Sequence, residues 1–324
     1  MIKNTFLYAM LFMASLAFVG CSDDTEDPDP DPLPVTTTTN TIVDIAGGDD
    51  FTTLAAALTR AGLIETLQGE GPFTVFAPTN TAFEALLTEL EIDGLDDVSD
   101  AQLTEILLNH VVSGKVLSTD LTAGYVNTLA TGAQQTKVSL LVDLTAGVRL
   151  NNRSVVTTAD IDADNGVVHV IDKVLTVPSI VDAALANANF STLVAALTDS
   201  RLADADFVTT LNSPGPFTVF APTNEAFQML LDGNPEWNSL ADIDAATLEV
   251  VLKYHVIVGD NVTASEITDG LTPTTFEGST FTFNTTQGVV IIDKGGNEST
   301  VQITDVQTSN GVIHAISRVL LPIE

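Results

Sequence analysis

The chain has 324 residues, 45% of them hydrophobic, with 43 acidic side chains against 11 basic ones and a formal net charge of −32. Such a field repels nucleic acid and anionic head groups, and no basic patch with interleaved aromatics offsets it, so nucleic-acid binding is excluded. A single cysteine, Cys21, leaves no intrachain disulfide, and any folded unit must be held by packing alone.

The chain opens with Lys3, an apolar run from Phe6 to Val19 and then Gly20-Cys21. This order predicts a signal peptide over residues 1–20, since a bilayer span needs about 20 apolar residues. The Gly20-Cys21 step resembles a bacterial lipobox, with Phe18 where an aliphatic residue is usual, and predicts lipidation at Cys21 against the alternative of a free thiol. Residues 21–39 read as an acidic tether rich in Pro and Thr, whose Asp-Pro alternation favours an extended chain. Its start, Ser22-Asp23-Asp24-Thr25-Glu26, resembles the export tag of Bacteroidetes-type lipoproteins, the alternative being a plain solvated spacer. The expected location is the outer face of the outer membrane of such a bacterium, facing the extracellular space, with the membrane reached through the lipid alone.

Beyond the tether the sequence is duplicated. GPFTVFAPTNTAF at Gly71 to Phe83 returns as GPFTVFAPTNEAF at Gly215 to Phe227, with 12 of 13 positions identical. FTTLAAALT from Phe51 returns from Phe190 as FSTLVAALT, and NGVVHVIDKVL from Asn165 returns from Asn310 as NGVIHAISRVL. The offsets of 139, 144 and 145 residues are domain-sized, so each copy is expected to close its own core. Within a copy, Phe51, Leu54, Ala55 and Leu58 draw one helical stripe, as do Phe190, Leu193, Val194 and Leu197. Pro72 to Ala77 predicts a strand ended by Pro78, and Thr79 or Asn80 caps a helix with the stripe Phe83, Leu86, Leu87 and Leu90. Ser99 opens a third helix with a capping box to Gln102, and its stripe of Leu103, Ile106 and Leu107 runs on to His110; Leu248, Val251, Leu252 and His255 repeat it. Short β-type runs follow, and the Asn165-Gly166 and Asn310-Gly311 turns each launch a strand that is apolar on both faces and central in its sheet. Val177-Pro178-Ser179 leaves almost no linker, so the copies are expected to abut.

The motifs TVFAPTNxAF, an NH or YH dipeptide (Asn109-His110, Tyr254-His255) and NGVxHxI resemble the signature of the fasciclin domain, over nearly everything from Asn40 to Pro322. The resemblance implies an α+β fold of two fasciclin-type domains at residues 40–178 and 179–324, each a wedge-like β-sandwich with helices packed at one side. It implies an extracellular adhesion module without enzymatic activity or cofactor, engaging a protein or glycan partner. Tyr254-His255 matches the family's YH pair, associated with receptor binding in animal members, so the resemblance places binding residues at Tyr254 and His255, mainly in the second domain. Asn109-His110 lacks the aromatic, and the alternative for Tyr254 is a ring that packs over the end of its own helix.

Other chemistry is read more simply. His110, His169, His255 and His314 show no metal-ligand spacing, and their apolar settings favour core histidines bonded to backbone. Asp160 to Gly166 resembles the start of a calcium loop, but the glycine comes late and Ile171 stands where a bidentate Glu is needed, so a turn with solvated carboxylates is expected. The acidic run Asp93, Asp96, Asp97 and Asp100 reads as a solvated loop, with no metal and no catalytic residue assigned. Two alternatives to adhesion remain: an accessory lipoprotein for a small apolar or carbohydrate ligand, which a deep lined pocket would favour, and a structural envelope component. An exposed patch with aromatic anchors near Tyr254 or Trp237 would favour adhesion.

Overall fold

The structure is a computed structural model that describes residues 40–203 and 205–322; the leader, Cys21 and the tether of residues 21–39 lie outside the described residues. The described residues from Asn40 to Pro322 form one compact unit of two similar halves. Among the described residues no single helix is long and apolar enough to cross a membrane.

The first half begins with helices α1 (Ile42–Ala46), α2 (Thr52–Arg60) and α3 (Ile64–Gln68), then strand β1 (Phe73–Pro78). Phe51, Leu54 and Leu58 are buried as their spacing requires, and Ala57 takes the place expected of the half-buried Ala55. Thr79 Oγ1 accepts the Ala82 N–H and starts α4 (Asn80–Glu89). That helix stops one residue before Leu90, which is exposed and does not continue the stripe. Ser99 caps α5 (Asp100–Leu108) through the Gln102 N–H; the expected box is only half made, because the Gln102 carbonyl accepts from the Ser99 hydroxyl instead of reaching the backbone.

Six strands follow: β2 (Val111–Ser113), β3 (Gly124–Thr131), β4 (Lys137–Asp143), β5 (Arg149–Leu150), β6 (Ser154–Ala163) and β7 (Gly166–Ile171). β7 is buried along its whole length and lies between antiparallel β6 and parallel β1. The β1–β7 pair joins the helical half of the domain to its strand half and closes seven strands into a barrel. At the closing corner the backbones nearly touch: a Cβ on Gly71 would stand 2.1 Å from the Asn165 carbonyl oxygen, and one on Gly166 would stand 2.0 Å from that of Phe73. Only glycine fits either place. Asn165 then fastens the corner to the helices, accepting the Ile42 N–H and donating to the Leu67 and Gly69 carbonyls. Beside it Asn40 and Asp164 exchange two bonds, the Asn40 N–H to the Asp164 carboxylate at 2.7 Å and the Asp164 N–H to the Asn40 carbonyl at 3.0 Å.

The second half repeats the plan with α6 (Ile180–Ala186), α7 (Ser191–Leu197), α8 (Phe207–Asn212), β8 (Phe217–Pro222), α9 (Asn224–Asp232), α10 (Ala245–Tyr254), β9 (Val256–Val258), β10 (Thr282–Asn284), β11 (Val290–Ile292), β12 (Glu298–Gln307) and β13 (Gly311–Ile316). Its strands run β10-β11-β12-β13-β8-β9 in an open six-stranded sheet. Asn310 plays the part of Asn165, holding the Ile180 N–H and the Leu211 and Ser213 carbonyls. Both halves are α+β.

The halves abut without a linker. The turn between β3 and β4 lies on β12, with the Ala133 N–H on the Thr308 carbonyl, the Gln307 N–H on Ser139 Oγ at 3.0 Å and the Thr136 hydroxyl on Gln307 Oε1 at 2.7 Å. Asn187 donates to the Tyr125 hydroxyl at 2.9 Å. A Cβ on Gly132 would stand 2.0 Å from the Thr308 carbonyl oxygen, so this contact too is built for glycine.

Candidate functional site

The signature residues converge where α10 ends against the strands, and they face inward. His255 caps the helix; its Nδ1–H donates to the Val251 carbonyl at 2.7 Å and its Nε2 accepts the Leu320 N–H at 2.9 Å. His110 does the same with the Ile106 carbonyl at 2.7 Å and the Leu175 N–H at 2.8 Å. A carbonyl on one nitrogen and an N–H on the other admit only the neutral Nδ1–H tautomer. Burial, the larger effect, pushes both imidazoles down from an ordinary 6.5 to about 4. These two rings tie a helix end to the strand exit 65 residues away.

The other pair uses the opposite tautomer. His169 Nε2–H donates to the Val116 carbonyl at 2.9 Å while Nδ1 accepts the Asp160 N–H at 3.2 Å; His314 pairs likewise with Val262 and Asp305. Asp160 and Asp305 hold φ of 62° and 58° at bulges in β6 and β12, which turns each N–H toward its ring. The rings stack on Phe76 and Phe220 at centroid distances of 5.5 and 5.4 Å. The residues that resembled a calcium loop form the β6–β7 hairpin: Asp160 accepts from the Ser118 N–H and hydroxyl, Asp162 pairs with Lys115, and Asp164 holds Asn40.

Tyr254 corrects the expectation of an aromatic anchor facing a partner. Its side chain is 0% exposed, its hydroxyl donates to the Thr280 carbonyl at 2.9 Å and accepts the Lys294 N–H at 3.2 Å, and its ring meets Phe281 edge-on at 5.9 Å. Burial, with Asp293 and Glu277 nearby, pushes the phenol up to about 12. His255 is buried as well, so neither of the two residues assigned to binding offers surface. Asn109 occupies the equivalent place in the first domain and is also buried, donating to the Thr176 and Leu175 carbonyls and accepting from Thr128. The packing alternative, a tyrosine filling the end of its helix, is the observed one.

What His255 supports lies one layer out. Between α9, α10 and the segment after β13 runs a half-open cavity of about 330 Å³, walled by Phe227, Leu230, Trp237, Leu248, Val251 and Leu321, with Arg318 and Asn297 at its rim. His255 holds both walls, since it bonds Val251 on one and Leu320 on the other. Asp293 accepts the Leu321 N–H and is itself held by Asn297. Trp237 is the one tryptophan of the chain, half-buried against the second core. A space of about 650 Å³ in the first domain is lined by Leu90, Ile92, Ile106 and Val177 with Asp97 and Glu105 and reaches Ser309 of the second half, while the position of Arg318 is held in the first domain by Lys173. Trp237 was a legible candidate anchor; Arg318 was not, because nothing local marks a residue that joins a groove whose other walls come from distant segments.

A fasciclin-domain family model matches residues 49–178 and 188–322. Protein sll1483 of Synechocystis is 44% identical over 139 residues, which are 43% of this chain and 74% of that protein. Periostin of Homo sapiens is 33% identical over 270 residues, 80% of this chain and 29% of periostin, and transforming growth factor-beta-induced protein ig-h3 of Oryctolagus cuniculus is 32% identical over 286 residues, 87% of this chain and 38% of that protein. The chain thus spans about a third of these animal relatives. A solved FAS1 domain pair from the insect cell adhesion molecule Fasciclin I aligns with a TM-score of 0.47 and 19% identity, covering 82% of this chain and 95% of that one. With both repeats matched by the same family model and the signature residues in equivalent places in each, this chain belongs to the fasciclin-domain family.

Proposed function

We propose that the chain is a non-enzymatic adhesion and binding protein that engages an extracellular protein or glycan mainly through its second domain. Fasciclin domains are associated with adhesion and extracellular binding in related proteins, which supports the class. The carrying observation is that the signature histidines and Tyr254 face inward, so recognition falls to residues by which the two domains differ. One such difference is the apolar groove walled by Trp237. In this reading Cys21 bears the lipid and residues 21–39 hold the domains, residues 40–178 and 179–324, away from the outer membrane of a Bacteroidetes-type bacterium. His255 serves the contact by joining the groove walls through Val251 and Leu320.

Binding of the chain from Ser22 onward to arrays of glycans and matrix proteins, with and without Trp237→Ala, tests the site. A folded Trp237→Ala variant is expected to lose about tenfold in affinity; undiminished binding removes the groove from the contact. Cys21→Ser is expected to release the full-length protein from the membrane fraction, and retention after a high-salt wash would place the anchor elsewhere. The apolar walls and the half-enclosed shape favour a second reading, in which the groove holds a small apolar ligand.

A further inference from the structure

Resting on that second reading, we propose that the groove of the second domain binds an apolar monocarboxylate, its hydrocarbon body against Trp237 and its carboxylate on Arg318. The size fits: about 330 Å³ lies at the lower end of small-molecule sites and accommodates one medium aliphatic chain or a small ring system, not a folded surface. The walls are apolar side chains from α9, α10 and the segment after β13. Polar groups of the ligand therefore have to stay at the rim.

The rim selects their sign. This chain has 43 acidic residues to 11 basic ones, and several of its cations already face carboxylates: Arg60 meets Asp100, Lys115 meets Asp162, Arg153 meets Glu89, Arg201 meets Asp199 and Lys253 meets Glu249. Arg318 stands outside these pairs, as do Lys173 and Lys294, and of the three only Arg318 lines the apolar groove. Its side chain makes no hydrogen bond or ion pair with any other described residue, while its backbone is clamped on both sides, the N–H on Ser299 Oγ at 3.0 Å and the carbonyl accepting the Ser299 hydroxyl at 2.9 Å. A fixed base therefore carries an uncommitted guanidinium at the mouth of an apolar groove, where a two-oxygen anion matches its fork. The net negative charge of the chain does not overrule this contact. At physiological salt the field of distant carboxylates is screened beyond about 8 Å, while a contact pair is screened far less. In the first domain the matching base is Lys173, clamped by Ser154 in the same way, but it does not line the neighbouring space, which carries Asp97 and Glu105, so the proposal assigns no anion there.

Trp237 reports on the site directly, because no second tryptophan contributes to the fluorescence. The chain from Ser22 onward, which retains every described residue, is titrated with decanoate, decanol and decylammonium below their micellar concentrations. Decanoate is expected to shift the Trp237 emission to the blue and to bind about tenfold more tightly than the other two. Shortening it to octanoate is expected to weaken binding roughly fourfold per methylene. Arg318→Gln, a substitution at an exposed side chain, is expected to cost about tenfold for decanoate and to leave decanol unchanged. Equal affinity for decanoate and decanol, or decanoate binding indifferent to Arg318→Gln, overturns the carboxylate assignment while leaving a small-ligand groove standing. No response to any of the three compounds overturns the small-ligand reading itself.

Discussion

In the first domain the residue before the core histidine is Asn109, which ties the chain at Thr176 to β3; in the second it is Tyr254, whose ring joins Phe281, Phe220 and Phe283 in an aromatic cluster. Both are buried, and both bond backbone carbonyls. Around them the domains diverge: the first closes a seven-stranded barrel and carries acids beside its groove, whereas the second leaves its sheet open and lines a smaller groove with Trp237 and Arg318. The shared positions are those whose side chains fix the backbone. The divergent positions around the groove are the ones that meet solvent, which is where two copies of one scaffold acquire different surfaces.

The histidines offer the sharpest way to break this comparison. His110→Ala and His255→Ala each remove a buried ring and strand a carbonyl and an N–H, so each is expected to cost about 4 kcal/mol and lower the melting temperature of its own domain by on the order of 10 °C. Calorimetry with limited proteolysis separates the domains; a loss in only one would show that the two staples are not equivalent. Next in size is the seam between the domains. Gly132→Val forces a side chain against the Thr308 carbonyl and is expected to cost about 3 kcal/mol at that contact, separating the domains without unfolding them. An unchanged radius of gyration in small-angle scattering would show that the seam tolerates the intrusion.

Acid sharpens the same point. The folded pKa of His110 and His255, about 4, lies below the unfolded value of 6.5, so the unfolded chain takes up protons first. The stability tied to these rings is complete above about pH 6.5 and is lost as pH falls toward 4. At pH 5 the loss is about 2 kcal/mol per histidine relative to pH 7. Urea unfolding at the two pH values measures it, and the slope should flatten in either single alanine variant. Smallest is Tyr254→Phe, which keeps the ring and removes the hydroxyl between Thr280 and Lys294. It is expected to cost about 1 kcal/mol and to leave partner binding unaltered. A large loss of binding in a stable Tyr254→Phe protein would return the contact to the tyrosine.

Local signals carried much of this fold into the sequence. The stripes through Phe51 and Phe190, the Thr79 cap and the inward histidines are all written within a few residues of themselves, where helical spacing and capping chemistry act. The parallel pairing of β1 with β7 is not, because its partners lie about ninety residues apart and either strand alone is only a buried apolar run. Tyr254 was misread for a related reason. The carbonyl and N–H that bury it belong to Thr280 and Lys294, 26 and 40 residues downstream, in loops with no pattern of their own. The groove was half legible: a lone tryptophan stood out, but the apposition of α9, α10 and Arg318 is a tertiary fact.

The corner at Asn40, Asp164 and Asn165 has a mechanical consequence. A pull on the chain ahead of Asn40 reaches the Asp164 backbone and carboxylate and, through Ile42, the Asn165 amide. The load therefore enters at the hairpin that begins β7, the strand with neighbours on both sides, and not at the free end of a helix that would fray. The second domain has the same clasp, with Pro178 bonded to Ser309 and Ile180 to Asn310, so tension passing from one domain to the next is again delivered to a central strand. Under stress the strand frameworks of the two domains bear the force in series, and the helices that wall the grooves stay out of its path.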